Sequence, residues 1–234
     1  MSPPQFYVSN VRQGLRRRFK EPVVRAAPCT VAILNKLAAA ADPQDPLDFM
    51  VLTMCFVAHN GLLRGGELLQ LTVGDLRWDT PNRTACSLRI DTSKANQFGP
   101  PEWVPYEDFG DNSAAGFLRD YVARFSLDKQ APQTPLFPAF PQVASCTAAL
   151  SHAAFTRHFR RLLDKAGLPP VGYTGHSFRS GGATDLFNGE CRPHTIRLQG
   201  RWLSDAIWIY VRDCPEHRRR EVAAALRRVS HLFE

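Results

Sequence analysis

The stretch GHSFRSGGAT, Gly175 to Thr184, sets His176 and Arg179 one helical turn apart and follows them with three small residues, Gly181, Gly182 and Ala183. At an i, i+3 spacing the imidazole and the guanidinium lie side by side on a helix. Two positive groups so placed repel each other when the histidine is protonated, and they become useful when an anion lies between them. The small residues let another backbone approach closely. The stretch alone leaves two readings open: a phosphate-handling pair, or a structural histidine with a surface arginine and a capping role.

Composition narrows the setting. The chain has 234 residues, 44% of them hydrophobic, which is enough for one main core. No run of about 18 apolar residues occurs, and the opening MSPPQFYVSN lacks the apolar stretch of a signal peptide; the expectation is a soluble, intracellular protein with no membrane span. The six cysteines (Cys29, Cys55, Cys86, Cys146, Cys191 and Cys214) never approach C-x-x-C spacing. They suggest neither a zinc site nor a disulfide framework and read as reduced, mostly buried thiols. Lys and Arg number 29 against 22 Asp and Glu, a formal charge of +7, which favours a polyanionic partner. Only five of the 29 are lysine: Lys20, Lys36, Lys94, Lys129 and Lys165. Arginine offers a planar fork suited to phosphate, whereas an isolated lysine is a point charge that can give up a proton.

Along the chain, VRQGLRRRFK and the proline-bearing EPVVRAAPC read as the end of a basic helix and a linker. Thr30 is the expected N-cap of a helix over VAILNKLAAA, and Pro46 opens a second, PLDFMVLTMCFVAHN, which is apolar nearly all round and so belongs in the core. LLRGGELLQLTVGDLRW follows as a short helix and its exit. TACSLRID and EWVPY flank SKANQFGPP and read as two strands, the prolines keeping the second near an edge. Helices are expected over 113–125 and 151–166. The Pro-rich loop APQTPLFPAFPQ between them carries too much Phe and Leu for mere disorder. Four more helical segments follow Gly167, the last over 216–233. The layout is predominantly α with one small sheet.

Further residues could carry chemistry. Arg64 lies three residues before Glu67, where the carboxylate could hold the guanidinium or form only a surface ion pair. Lys94 stands at the start of the loop between the two strands, a functional cation or a solvated hairpin tip. In GRWLSDAIWIYVR, Arg201 and Trp202 precede Ser204, the expected N-cap of a helix that contains Tyr210. Ile207, Tyr210 and Val211 share a face of that helix, so Tyr210 could also be an ordinary half-buried aromatic.

The order Arg, Lys, His-x-x-Arg, Gly-Arg-Trp, Tyr resembles the tyrosine recombinase family, the phage-integrase type of DNA strand-exchange enzyme. In that family the first Arg appears as G-x-R-x-x-E-L, and GLLRGGEL is a close match centred on Arg64. The family Lys lies on a β-hairpin, as Lys94 would; the His-x-x-Arg box is met by His176 and Arg179; and the nucleophilic Tyr follows a G-[HW] element, met by Tyr210. One departure concerns that element. Arg201 holds the place after the Gly by its spacing to Tyr210, while Trp202 fits by chemistry, and the form GRW-x-SDA is similar to one in a subset of relatives. The role is therefore assigned to Trp202.

The resemblance covers about Thr30 to Arg212. It implies a mainly α fold with a small antiparallel β-sheet, the tyrosine recombinase catalytic domain, over residues 30–234. Residues 1–29 would form a basic helix remnant and linker, too few for the separate clamp domain of relatives. It also implies cleavage and rejoining of DNA without metal, cofactor or ATP. Arg64 and Arg179 would clamp the scissile phosphate, with Glu67 orienting Arg64 and Arg201 in support. His176 would help deprotonate Tyr210, Trp202 would fill the His/Trp position, and Lys94 would protonate the leaving 5′-oxygen. The implied partner is double-stranded DNA, bound as a homotetramer in the nucleus or nucleoid. Arginines around Arg157 to Arg161 and the basic ends of the chain would hold its phosphates. The alternative is a DNA-binding descendant that no longer cuts.

Overall fold

The computed structural model describes residues 26–91, 100–143, 146–204, 206–212 and 215–230. Lys94 and the basic N-terminal stretch lie outside the described residues. No helix among the described residues is long and apolar enough to cross a membrane.

Helix α1 (Val31–Ala40) starts after Thr30, but the Thr30 side chain makes no capping bond. The Val31 amide donates instead to Asp185 Oδ2, 2.6 Å away, so a carboxylate distant in sequence replaces the expected local cap. Helix α2 (Pro46–Asn60) has Pro46 at its first position and Asp45 accepting from the Leu47 amide at 2.9 Å; from Met50 to His59 every residue is buried. It is the central rod of the fold, as its all-round apolar pattern requires.

The short helix α3 (Gly65–Leu69) leads into a 3₁₀ turn (Val73–Asp75) and then the sheet. Strands β1 (Leu76–Trp78), β2 (Ala85–Ile90) and β3 (Glu102–Glu107) are antiparallel in the order β1-β2-β3. The two expected strands are β2 and β3, and Pro105 sits in the edge strand, where a missing N–H is tolerated. The third strand, β1, replaces part of the expected helix exit. It is only three residues long, too short to show a period. Tyr106 docks the sheet on α2 by donating to the Val57 carbonyl at 3.2 Å. A Cβ on Gly61 would fall 1.8 Å from the Tyr106 hydroxyl, so any other residue there would push the ring aside.

Helix α4 (Ala114–Arg124), capped by Ser113, stacks Phe117 on Phe56 of α2 with 4.6 Å between centroids. The Pro-rich loop is packed rather than loose: Leu136 and Phe137 are buried, and the Tyr121 hydroxyl donates to the Leu136 carbonyl. Helix α5 (His152–Lys165) turns Phe155, Phe159, Leu162 and Leu163 inward. Helix α6 (Gly175–Asn188) begins with a capping box in which the His176 amide donates to Thr174 Oγ1 and the Thr174 amide to Ser177 Oγ. Thr174 and Ser177 thus cap the helix, and the side chains of His176 and Arg179 are not needed for that purpose.

Three further helices follow among the described residues: α7 (Pro193–Gln199), α8 (Ile207–Tyr210) and α9 (Pro215–Ser230). Ser204 is not the cap of α8; Ala206 holds that place and the helix is a single turn that Tyr210 completes. A small second cluster of Leu62, Ala183, Ile196, Trp202 and Ile207 joins this end to α6.

The double glycine of α6 is a packing requirement. A Cβ on Gly181 would lie 1.9 Å from the Cys29 carbonyl oxygen, and one on Gly182 would lie 2.2 Å from that of His59. Both obstacles are backbone, so neither can yield cheaply. Beside them His59 Nε2 donates to Asp185 Oδ2 at 2.8 Å, tying α2, α6 and the start of α1 together. Gly181→Ala and Gly182→Ala are each expected to lower stability by about 2–3 kcal/mol, or roughly 5–10 °C in Tm. Gly66→Ala, with nothing within 4 Å of the new methyl, should be neutral or slightly stabilising; thermal and urea unfolding check all three.

Candidate functional site

The site is built around the connection from α2 to α3. Leu62 adopts a left-handed backbone (φ 50°), a costly state for a branched residue, and so turns its carbonyl toward the end of the chain. That carbonyl accepts from Arg179 Nη1 at 2.5 Å and from Arg201 Nη2 at 3.5 Å. Arg64 occupies the N-cap position of α3. Its amide donates to Glu67 Oε2 at 2.8 Å and its Nη1 to Glu67 Oε1 at 2.5 Å. The pair is therefore an embedded one, and the surface ion-pair reading does not hold.

The start of α3 meets the start of α6. A Cβ on Gly65 would lie 3.7 Å from the Gly175 Cα and 3.5 Å from His152 Nε2. Arg64 and His176 each neighbour one of these glycines, so the first arginine box and the His-x-x-Arg box are brought together. His176 is exposed at this junction. His152, the first residue of α5, was not singled out from the sequence; it follows an ordinary serine cap, and only the tertiary fold sets its imidazole over Gly65 and Gly175.

Arg179 is fully buried. Its Nη1 and Nη2 donate to the carbonyls of Leu62 and Gly200, and its Nε has no partner. The guanidinium lies 4.3 Å from the centroid of the Trp202 ring and 5.4 Å from that of Tyr210, a cation–π arrangement on two faces. Burial, with Arg64 and Arg201 close by, pushes its pKa down to about 9, against the pull of Glu67 and Tyr210. The group stays protonated at neutral pH, in surroundings that favour added negative charge.

Gly200, Arg201 and Trp202 form a tight corner after α7. A Cβ on Gly200 would fall 2.0 Å from Trp202 Cζ3, so glycine is what lets the indole fold back over Arg179. Arg201 is left-handed (φ 53°) and buried. It donates to the carbonyls of Gly61 (3.1 Å) and Gln199 (3.0 Å) and to Glu67 Oε2 (2.7 Å). Arg201 and Trp202 thus point to different duties. The first is enclosed by carbonyls and a carboxylate, while the second covers Arg179 and meets the Tyr210 ring at a tilt, 5.1 Å between centroids, its indole Nε1 buried without a partner.

Tyr210 is half-buried at the end of α8. Ser180 Oγ donates to its carbonyl at 2.8 Å, and Thr184 Oγ1 accepts from the Arg212 amide at 3.0 Å. Ser180 and Thr184, one turn apart on α6, thus anchor the tyrosine segment to the helix that carries His176 and Arg179. The sequence reading missed both; their i, i+4 spacing directly after Arg179 was the available signal. Along α5, Arg157 and Arg160 are exposed, but Arg161 is paired with Asp45 and Asp48 and is a weaker candidate for holding an anion.

Arg64 and Arg201 both bond to the single carboxylate of Glu67, and Arg179 lies within its electrostatic reach. Burial would raise the Glu67 pKa; Arg201, the Arg64 amide and the Arg64 guanidinium outweigh it and hold it below the usual carboxylate range. The net positive cluster, open to solvent on the Arg64 and His176 side, is suited to an oxyanion such as a phosphodiester.

No family model matches the sequence and no curated protein is similar to it. Solved structures are similar in fold. XerH site-specific recombinase, bound to a palindromic difH substrate in a post-cleavage complex, superimposes with a TM-score of 0.64 at 17% identity, over 84% of this chain and 52% of that one. XerA recombinase gives 0.62 at 18% identity, over 86% and 65%. A lambda integrase dimer bound to a COC′ core site gives 0.57 at 19% identity, over 82% and 50%. The chain has the tyrosine recombinase catalytic-domain fold, and it spans about half the length of the XerH and lambda integrase chains.

Because the folded-state pKa of Glu67 is depressed, its contribution to stability is present above the unfolded carboxyl pKa of about 4.3 and is lost as pH falls through the folded value. Glu67→Gln is expected to cost about 2–4 kcal/mol at pH 7 and to flatten the stability profile below about pH 4.5. Urea unfolding of both proteins between pH 7 and pH 3 measures this.

Proposed function

We propose that the chain cleaves and rejoins DNA strands through a covalent link between Tyr210 and a 3′-phosphate, in site-specific recombination or integration. The observation that carries this reading is the gathering of Arg64, Arg179, Trp202 and Tyr210, from four separate segments, at one net positive site, with the exposed His176 one turn before Arg179 on the same helix.

A tyrosine hydroxyl is a poor nucleophile until a base takes its proton, and we assign that role to His176. The phenolic oxygen attacks the scissile phosphorus, the new O–P bond forms, and the bond from phosphorus to the 5′-oxygen breaks. The phenol proton passes to His176. Lys94, outside the described residues, would give a proton to the departing 5′-oxygen. Arg64 and Arg179 neutralise the charge that grows on the nonbridging oxygens, and the unpartnered Trp202 indole N–H is a further donor for one of them. Since the phosphoester energy is kept in the tyrosyl link, a 5′-hydroxyl can reverse the step without ATP.

The donors of Arg179 rest on the Leu62 and Gly200 carbonyls under the rings of Trp202 and Tyr210. A phosphate therefore reaches them by taking the place of those carbonyls as the acceptor. The same burial favours the second reading, a DNA-binding protein that no longer cuts, in which Arg179 is purely structural. Double-stranded DNA is the partner in both, with a homotetramer on DNA and a DNA-containing compartment under the first.

The test incubates the protein with a pool of nicked duplexes carrying a randomised central segment, followed by recovery of SDS-resistant adducts. Wild type should yield an adduct enriched for particular sequences, and Tyr210→Phe none. An adduct from the Phe variant would discard Tyr210 as the nucleophile, and none from wild type would leave the binding-only reading. In either reading duplex affinity should fall steeply with salt, by about tenfold or more between 50 and 200 mM, as phosphate contacts release counterions.

A further inference from the structure

An arginine and a carboxylate left to themselves form a bidentate pair, two parallel bonds that use both carboxylate oxygens. Glu67 does not do this with Arg64. Oε1 takes Arg64 Nη1, while Oε2 takes the Arg64 amide and, at 2.7 Å, Arg201 Nη2. The Glu67 and Arg201 side chains are 4% and 2% exposed, whereas Arg64 is 19% exposed. The attraction is stronger where water is excluded, so the carboxylate's charge is drawn toward Arg201 and away from the arginine that faces solvent.

We propose that Arg201 is a positioning residue that keeps Arg64 available to a phosphate by holding one Glu67 oxygen away from it; the proposal rests on the strand-cleavage reading above. Arg201 is the right group for this because its fork is fixed on three sides. The Gly61 and Gln199 carbonyls hold Nη1 and the left-handed backbone aims the side chain inward. A lysine would bring the charge but not the fork.

The position of Arg201 adds a coupling. It lies between Gly200, whose carbonyl holds Arg179, and Trp202, which covers Arg179, in the segment leading to Tyr210. When that corner is seated, the Arg201 fork is on Glu67 and Arg64 keeps its charge. When the corner lifts, the fork leaves, Glu67 closes on Arg64, and the clamp is quenched. Arg64 is thereby ready for phosphate only while the tyrosine segment is in place.

The experiment uses the full chain and the nicked duplex recovered with wild type, and compares Arg201→Met, Arg201→Lys, Glu67→Gln and the double variant Arg201→Met with Glu67→Gln. The adduct rate is read at saturating protein, with affinity for the intact duplex and thermal melting in parallel. Arg201→Met should slow adduct formation about 30-fold or more while changing duplex affinity less than about threefold, a loss in the chemical step rather than in binding. Removing the Glu67 charge from that variant should speed it by about tenfold, although Glu67→Gln alone is slower than wild type. Arg201→Lys should recover part of the rate.

A double variant as slow as Arg201→Met, or slower, would make Arg201 mere scaffold and overturn the proposal, with the cleavage reading intact. If Arg201→Met fails to fold, the same comparison is made between Arg201→Lys and its combination with Glu67→Gln. No adduct from wild type removes the cleavage reading, and this proposal with it.

Discussion

A guanidinium buried without a carboxylate of its own is among the costliest groups a protein can hold, and Arg179 is such a group. Its charge is met by two backbone carbonyls and the faces of two aromatic rings. Both carbonyls come from irregular backbone beside a residue or turn that must be held open. Leu62 is left-handed, and Gly200 precedes the left-handed Arg201. The strain stored at these two positions is offset by the burial it makes possible, and it is concentrated where the chemistry would be.

The rest of the fold can be read as the frame for that arrangement. Helix α6 must pass close enough to α2 for Arg179 to reach the Leu62 carbonyl, and Gly181 and Gly182 remove the atoms that would prevent it. Gly61 makes the same allowance for Tyr106, which fixes the sheet to the end of α2 just before Leu62. The Asp185 carboxylate then joins α6 to His59 and to the first amide of α1. Close backbone packing and a few polar ties thus hold three segments in place around Arg179.

How much of this was legible in the sequence depended on whether the signal was local. The caps Asp45, Ser113 and Ser151 announce their helices because the bonds are made within three residues. Thr30 looks like such a cap but yields to Asp185, which no local pattern shows. Strand β1 is too short to carry a period, and Ser204 lost its expected place because α8 is one turn long. In the candidate site, the arginines, histidine and tyrosine stood out because the proposed phosphodiester reaction needs those chemical types, in an ordered set. Arg201, Ser180, Thr184 and His152 were not, or not in their roles, since each is defined by partners far along the chain.

The charge distribution links stability to ligand. Arg64, Arg179 and Arg201 repel one another, and that repulsion adds to the larger effect of burial in lowering the pKa of Arg179. A protein selected only for stability would remove one of these charges, since replacing buried ionic groups by apolar ones is often neutral or favourable. Keeping all three makes sense if a bound anion relieves the repulsion, and the relief is greater for an anion whose charge is growing. A phosphodiester passing toward a pentacoordinate transition state is such an anion. Interactions that strengthen as its charge develops accelerate the reaction, whereas equal binding of substrate and transition state would not. Under the proposed cleavage, the unfavourable electrostatics of the arginine cluster would be the counterpart of the stabilisation it offers.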